Sequence, residues 1–466
     1  MERQKVTAST VDMSAIIALC KNRGFVFPGS EIYGGLANTW DYGPLGVELK
    51  NNIKREWWKY FVQQNENSVG LDGGILMNPK VWVASGHVAG FSDPLMDCKG
   101  CKTRHRADKL IEAKSKGTVN ADFKPNEWLE QWITNNKVVC PNCGKIDWTN
   151  IRQFNLMFKT QRGVVEKDNT DVIYLRPESA QNQFVNFLNV QRTMRLKIPF
   201  GIGQIGKAFR NEVTPGNFII RTVEFEQMEH QLFCRASDSL GIYENYKNKA
   251  MDFYTTRLGL TNTRLRFKDH ETLCHYARAA CDMEYNFPSL GFVEIGGTHH
   301  RGTHDLGSHA RESGKSQDYT DPNTNEKFLP TVIESSHGCD RIFLAVLADA
   351  YHEETLPDGD VRIVLKIAPR LAPYKVAVLP LQKKDLTEKA SAVYRLLSER
   401  YMTTYDETAS IGKRYRRQDE IGTPFCVTVD YDTLNDNCVT VRDRDTMRQQ
   451  RIEISKLEGY INERIR

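Results

Sequence analysis

Residues 203–230, reading GQIGKAFRNEVTPGNFIIRTVEFEQMEH, are two alternating stretches around a short Pro-Gly turn, and they constrain this chain more than any other segment. A strand period of two places Gly206, Ala208, Arg210 and Glu212 on one face, and Arg221, Phe225, Gln227 and Glu229 on one face of the returning strand. The small residues leave a floor beneath an arginine and a carboxylate. An arginine fork can grip a phosphate, an aromatic face can stack a purine, and a carboxylate can hold an amine. These are the parts of an adenylating site; the competing reading is an ordinary hairpin with an ion-pair ladder.

The chain has 466 residues, more than one hydrophobic core usually serves, so two or three domains are expected. Its 63 basic and 59 acidic residues are too balanced to point to a nucleic-acid partner by charge alone. No apolar run has membrane-spanning length, and MERQKVTAST reads neither as a signal peptide nor as a clearly Arg-rich transit peptide, so a cytoplasmic location is expected. Seven cysteines are scattered singly and read as reduced thiols. The other four, Cys98, Cys101, Cys140 and Cys143, form two Cys-x-x-Cys hooks around a polar, lysine-rich insertion over residues 97–150. Four thiolates suit a closed, structural Zn²⁺ site, with an empty dithiol pair as the alternative.

Periodicity places the remaining elements. Leu45, Leu49, Ile53, Trp57 and Phe61 repeat every four residues and predict a helix burying one stripe, followed by a strand over residues 75–78. Residues 154–158 and 172–175 read as strands, and Pro177 as the first residue of a helix with Glu178 in its first turn. Val361, Ile363, Leu365 and Ile367 alternate with Arg362, Val364 and Lys366; Pro369 and Pro373 then mark a boundary, beyond which a compact α/β unit is expected. Ser455 to Glu458 offers a capping box for a last helix. The basic run Gly412 to Glu420, with Tyr415, suits either an RNA-contacting surface or a solvated charged helix. His299, His300 and His304 read as polar loop residues rather than as a metal site.

Phe209-Arg210-Asn211-Glu212 and the strand through Phe225 resemble motif 2 of the class II aminoacyl-tRNA synthetases, and Gly338-Cys339-Asp340-Arg341 resembles motif 3. The helix, strand and Pro79 resemble motif 1. The runs Arg23 to Ser30, Thr39 to Gly46, Leu175 to Glu178 and Ile411 to Cys426 extend the likeness over nearly the whole chain, to the single-chain, homodimeric glycyl type. The resemblance implies an α+β fold: an antiparallel sheet flanked by helices, a zinc-ribbon-like insertion and a C-terminal α/β anticodon-binding domain. The corresponding division is 1–96 and 151–368 for the catalytic domain, 97–150 for the insertion and 369–466 for the terminal domain.

The resemblance also implies glycine activation with ATP and Mg²⁺, transfer to the tRNA for glycine, a homodimer, and neither membrane nor DNA as a partner. It assigns catalysis to Arg210, Glu212 and Arg341. Arg210 would grip the α-phosphate and Arg341 the γ-phosphate, with Phe225 stacking the adenine. Arg221, Glu294 and Arg301 complete the nucleotide pocket, along with Asn211, Ile220, Thr222, Val223, Glu224, Ile295, Gly338, Cys339 and Asp340, and Glu294 suits Mg²⁺. Glycine would meet Glu178, Glu229 and Glu334, with Ser336, Arg106, Phe225, Glu226, Gln227 and Met228 also at matching positions. Alternation favours Glu229 over Glu226, which should face away. Converging carboxylates predict a raised pKa or a bound cation in the empty site. The competing functions are a non-catalytic relative that binds nucleic acid, which has no reason to keep Arg210, Glu212, Phe225, Glu229 and Arg341 together, and a synthetase for another small amino acid.

Overall fold

The computed structural model describes residues 12–121, 124–162, 172–212, 216, 218–270 and 278–465. Most of the Pro-Gly turn, residues 213–215 and 217, lies outside the described residues, as does the N-terminal stretch 1–11.

Seven strands form the central sheet in the order Leu265–Asp269, Ala279–Phe287, Gly291–Gly302, Thr331–Gly338, Glu224–Cys234, Phe200–Phe209 and Ser68–Gly70. All neighbours are antiparallel except Ser68–Gly70, which runs parallel to Phe200–Phe209. Alternation divides the Glu224–Cys234 strand as the period of two requires. Met228 faces the main core, whereas Phe225, Gln227, Glu229 and Gln231 face the other way. The core side is closed by the helix Cys339–Ala350, apolar nearly all round and almost wholly buried, and by the helix Pro44–Trp58.

Leu45, Leu49, Ile53, Trp57 and Phe61 are all buried, but within the chain's own core. The strand expected at 75–78 does not form. Leu76 makes an isolated bridge to Leu175, and Asn78 instead caps the helix Pro79–Ala84 by accepting from the Lys80 N–H at 3.0 Å. Edge pairing in this region falls to Ser68–Gly70.

The insertion carries its own core, including Met96, Leu110, Ile111, Leu129 and Ile133, beside a three-stranded sheet of Arg104–Arg106, Ser92–Asp97 and Arg152–Asn155. Near the C-terminus, core membership changes between Ala372, in the main core, and Val376, in the last one. The last sheet has the order Thr403–Tyr405, Val376–Pro380, Phe425–Val429, Cys438–Asp443 and Gln449–Glu453, with the first three strands parallel and the remaining pairs antiparallel. The helix Ile454–Ile465 buries Leu457 and Ile461, but the expected cap is absent, because the Ser455 hydroxyl donates to Glu453.

Two charged features depart from their sequence reading. In the strand Val361–Leu365, Val361 is 63% exposed while Arg362 is fully buried. Arg362 donates to the buried Asp419 at 2.8 Å, and Arg442 grips the same carboxylate at 2.8 and 3.0 Å. The basic run forms the helix Ile411–Ile421, yet Arg414 is buried and donates to the carbonyls of Pro380, Asp406 and Leu381, and Arg417 pairs with Asp406. Much of this charge therefore holds the domain together, while Lys413 is exposed and Arg417 partly so. Asp419→Ala, which strands two buried guanidinium groups, is expected to cost about 3–5 kcal/mol in urea denaturation. A loss under about 1 kcal/mol would contradict that account.

Candidate active site

The two motif strands pair with Phe225 opposite Ala208, Gln227 opposite Gly206 and Glu229 opposite Gln204. The first ends at Phe209 and the second begins at Glu224, so Arg210, Glu212 and Arg221 do not lie on strands as their alternation predicts. The chain peels away because the Asn211 N–H bonds the Leu156 carbonyl at 2.7 Å, and Phe218–Ile220 closes a 3-10 turn. The floor at Gly206 is also occupied from within: a Cβ there would lie 2.2 Å from the Arg176 guanidinium, which donates to the carbonyls of Lys207 and Gly73.

Even so, the expected side chains converge. Arg210, Glu212, Arg221, Phe225, Glu294 and Arg341 line one open cavity, with Ile220, Thr222, Ile295, Gly338 and Asp340 also in its walls. The Arg210 guanidinium carbon lies 5.2 Å from the Phe225 ring centre and 5.3 Å from that of Phe91, and its Nε donates to the Pro177 carbonyl at 3.1 Å. Arg341 donates through Nε to the Ile220 carbonyl and through Nη1 to Glu294, at 3.0 Å each. Glu212 lies 3.6 Å from Arg221. Arg106, from the insertion, pairs with Asp93 at 3.0 Å and Asp108 at 2.6 Å.

Gln227 and Ser336 join this cavity to a buried carboxylate cluster. Ser336 donates to Glu229 at 3.2 Å, Ser179 donates to the other Glu229 oxygen at 2.5 Å, and Gln227 accepts from the Ser179 N–H. Glu334 receives Arg301, His299 and Gln231 at 3.0, 2.9 and 2.7 Å. Glu178 faces His87 at 3.5 Å and accepts from Gln181 at 2.8 Å. Burial works against the charge of all three. Arg301 and His299 outweigh it at Glu334, and His87 and Arg301 at Glu178, so both carboxyls stay below the usual range. No cation among the described residues forms an ion pair with Glu229; burial, with Glu334 and Glu178 beside it, pushes its carboxyl up to about 8. The raised pKa predicted for an empty, crowded site thus falls on one residue.

Residues 375–464 match the family model described as an anticodon binding domain. The chain is 58% identical over 453 residues to the glycine–tRNA ligase of Acetivibrio thermocellus, covering 96% of this chain and 97% of that protein. It is 56% identical over 465 residues to that of Alkaliphilus oremlandii, covering 98% of this chain and all of the relative. The chain belongs to the glycine–tRNA ligase family. Among solved structures, a prolyl-tRNA synthetase from Cryptosporidium parvum in complex with halofuginone and AMPPNP matches with a TM-score of 0.62 at 14% identity, over 100% of this chain and 79% of that one. A structure titled as the RNA-binding domain of threonyl-tRNA synthetase from the same organism matches with a TM-score of 0.66 at 15% identity, over 96% and 98%. At such identities these two establish the class II synthetase fold alone.

Within this glycine–tRNA ligase family member, several expected residues serve the scaffold through their side chains. Cys339 and Met228 are wholly buried in the main core. Glu226 borders the cavity, but its carboxylate points back to Lys50 and Lys54 at 3.2 and 3.1 Å. Asp340 is held by Lys50 at 2.6 Å, by the Glu226 N–H at 2.7 Å and by the Tyr42 hydroxyl, so it locks motif 3 to motif 2 and the Pro44–Trp58 helix. Asn211, Val223 and Glu224 act through backbone or surface contacts: the Arg210 N–H bonds the Val223 carbonyl, Asn211 bonds Leu156, and Glu224 pairs with Lys207.

Glu178 precedes its helix, which begins at Ala180, rather than lying in its first turn. The Pro177 carbonyl and Ser179 N–H are engaged by Arg210 and Gln227. The expected histidine loop is mostly strand: residues 291–302 pair on both sides, sending His299 to Glu334 and His300 to Ser239, while His304 begins the helix His304–Ser313. Sequence reasoning missed His87, Ser179 and Asp305. Ser179 adjoins the Glu178 match and was within reach, whereas nothing local marks His87.

The two Cys-x-x-Cys hooks meet, with Cys98 and Cys143 sulfurs 3.5 Å apart and those of Cys101 and Cys140 3.6 Å apart. Each hook closes the same way: the Lys102 N–H bonds the Cys98 carbonyl and the Gly144 N–H bonds that of Cys140, both at 2.8 Å and both with positive φ. At Gly144 that conformation costs nothing. The four-sulfur set fits Zn²⁺. No helix among the described residues is long and apolar enough to cross a membrane.

Proposed function

We propose that this chain activates glycine with ATP to give glycyl adenylate and pyrophosphate, and then passes glycine to a hydroxyl at the 3′ end of its tRNA with release of AMP. One observation carries the reading: Gln227 and Ser336 line the arginine-rich cavity, and Ser336 bonds Glu229 directly while Gln227 holds the backbone of Ser179, whose hydroxyl bonds the same carboxylate. A glycine held by its ammonium group at Glu229 would direct its carboxylate toward Arg210. Attack on the α-phosphate requires positioning and charge neutralisation rather than a base. Arg210 would hold the α-phosphate oxygens and Arg341 the γ-phosphate, with adenine on Phe225. Mg²⁺ would neutralise phosphate charge from Glu294, a hard oxygen ligand. Glycine-dependent ATP–pyrophosphate exchange tests this, with alanine, serine and threonine in parallel and Arg341→Ala as control. Exchange absent with glycine, or equal with serine, would defeat the reading.

The division 1–96, 97–150, 151–368 and 369–466 assigns anticodon reading to the last segment and structural zinc to the second. At least one zinc per chain is expected in purified protein, falling by one in Cys140→Ser/Cys143→Ser; an unchanged content counts against the thiolate site. The protein would act in the cytoplasm as a homodimer. The Leu45–Phe61 stripe is buried in the chain's own core, and support for the dimer comes from Ile32, Tyr33 and Leu36, which are 89, 86 and 66% exposed. Sedimentation at micromolar concentration is expected to give a dimer that Ile32→Glu/Tyr33→Glu dissociates; a folded wild-type monomer would refute it.

A further inference from the structure

Beside the carboxylate cluster, on the same face of the sheet, stands a second group of ligating side chains, joined to it through His299. We propose that His270, Asp282 and His299 hold a zinc-class divalent cation, with Glu334 orienting His299 from behind. The three residues offer ligand atoms that all lie within 4.8 Å of one another, and His270 Nε2 is 2.8 Å from Asp282 Oδ1. A tetrahedral zinc site has ligand–ligand edges of about 3.3 Å, so small side-chain rotations close the set around an ion.

Three further observations point to a metal rather than to a casual polar contact. His299 Nδ1 lies 2.9 Å from Glu334. An ionised carboxylate can only accept, so Nδ1 carries a proton, and the neutral form of His299 then offers its Nε2 lone pair, the arrangement in which a carboxylate backs a metal-bound imidazole. Gly297, the cross-strand partner of Asp282, leaves room for the His299 ring: a Cβ there would sit 2.7 Å from its Cε1 and 3.0 Å from its Nε2. The side chains of His270, Asp282 and His299 are 35, 18 and 26% exposed, so an ion and its waters can enter. Two imidazoles and one carboxylate favour zinc-class ions over Mg²⁺, and three protein ligands leave a position open to water. This differs from the four-thiolate site, which is closed.

The ion would stand one hydrogen bond from Glu334 and so bias the charge that surrounds Glu229. That link rests on the reading of the cluster as the glycine pocket; the metal site itself does not. Co²⁺ titration of the full-length protein separates them. Intense thiolate charge-transfer bands report the cysteine site, and weak visible bands without charge transfer report the His–Asp site. The second class is expected in wild type and about 100-fold weaker in His270→Ala and in Asp282→Asn, with the thiolate bands retained as a check that each variant is folded. Absence of the weak-band class in wild type, or its survival in both variants, overturns the proposal. Its presence in protein that shows no glycine-dependent exchange supports the metal site while the glycine reading fails.

Discussion

Glu229→Gln is expected to raise KM for glycine about 100-fold while making the unliganded protein more stable in mild alkali. The affinity loss, about 2.7 kcal/mol, is that of removing one charged partner from a buried ammonium contact. The stability gain follows from the raised pKa. Glu229 binds its proton more tightly when folded, so its favourable contribution is complete below the ordinary carboxyl range and is lost as pH rises through about 8. Glutamine has no proton to lose, and it keeps donors and acceptors for Ser179 and Ser336. Thermal unfolding at pH 9 should therefore show a higher Tm for the variant. The same titration predicts that wild-type glycine affinity improves from pH 6 to 8 with release of a proton on binding, and that the variant lacks this dependence. A variant with wild-type KM, or with the wild-type pH profile, would place the ammonium elsewhere.

The second large effect is expected at Arg210. Arg210→Ala should lower the rate of glycine-dependent pyrophosphate exchange about 1,000-fold, the usual scale for removing a donor aimed at developing charge. Arg210→Lys should recover little of it, because an ammonium lacks the planar fork and does not lie flat between Phe91 and Phe225. Unfolding should change little in either variant, since among the described residues the side chain's hydrogen bond is to the Pro177 carbonyl, and the backbone bond to Val223 is kept. Near-normal exchange in Arg210→Ala would move the α-phosphate role to Arg221 or Arg341.

Local pattern reached furthest where one element dictates one face. Strand alternation separated Glu229 from Glu226 correctly, because successive side chains must point oppositely, and the four-residue repeat found the Pro44–Trp58 stripe. The motif resemblance named the side chains that line the cavity, and family membership bears out the fold class it implied. Local pattern failed where a distant partner competed. Asn78 capped a helix instead of joining a strand, Arg210 and Arg221 left their strands for loop contacts, and Arg362 and Arg414 went inward because Asp419 and backbone carbonyls were there to receive them.

Many of the side chains that line the cavity, the two cysteine hooks and the sheet-with-terminal-unit organisation were thus written in the sequence itself, as residue types at short spacing. What only the tertiary structure decided was charge. Glu178, Glu229 and Glu334 are the same residue on paper, yet Arg301, His299 and His87 reach two of them from distant segments and leave the third to burial and to the two neighbouring carboxylates. His270, Asp282 and His299 likewise come together only because three strands pair in one register. A pKa or a ligand set depends on what lies within a few ångströms, and chain proximity does not supply that distance.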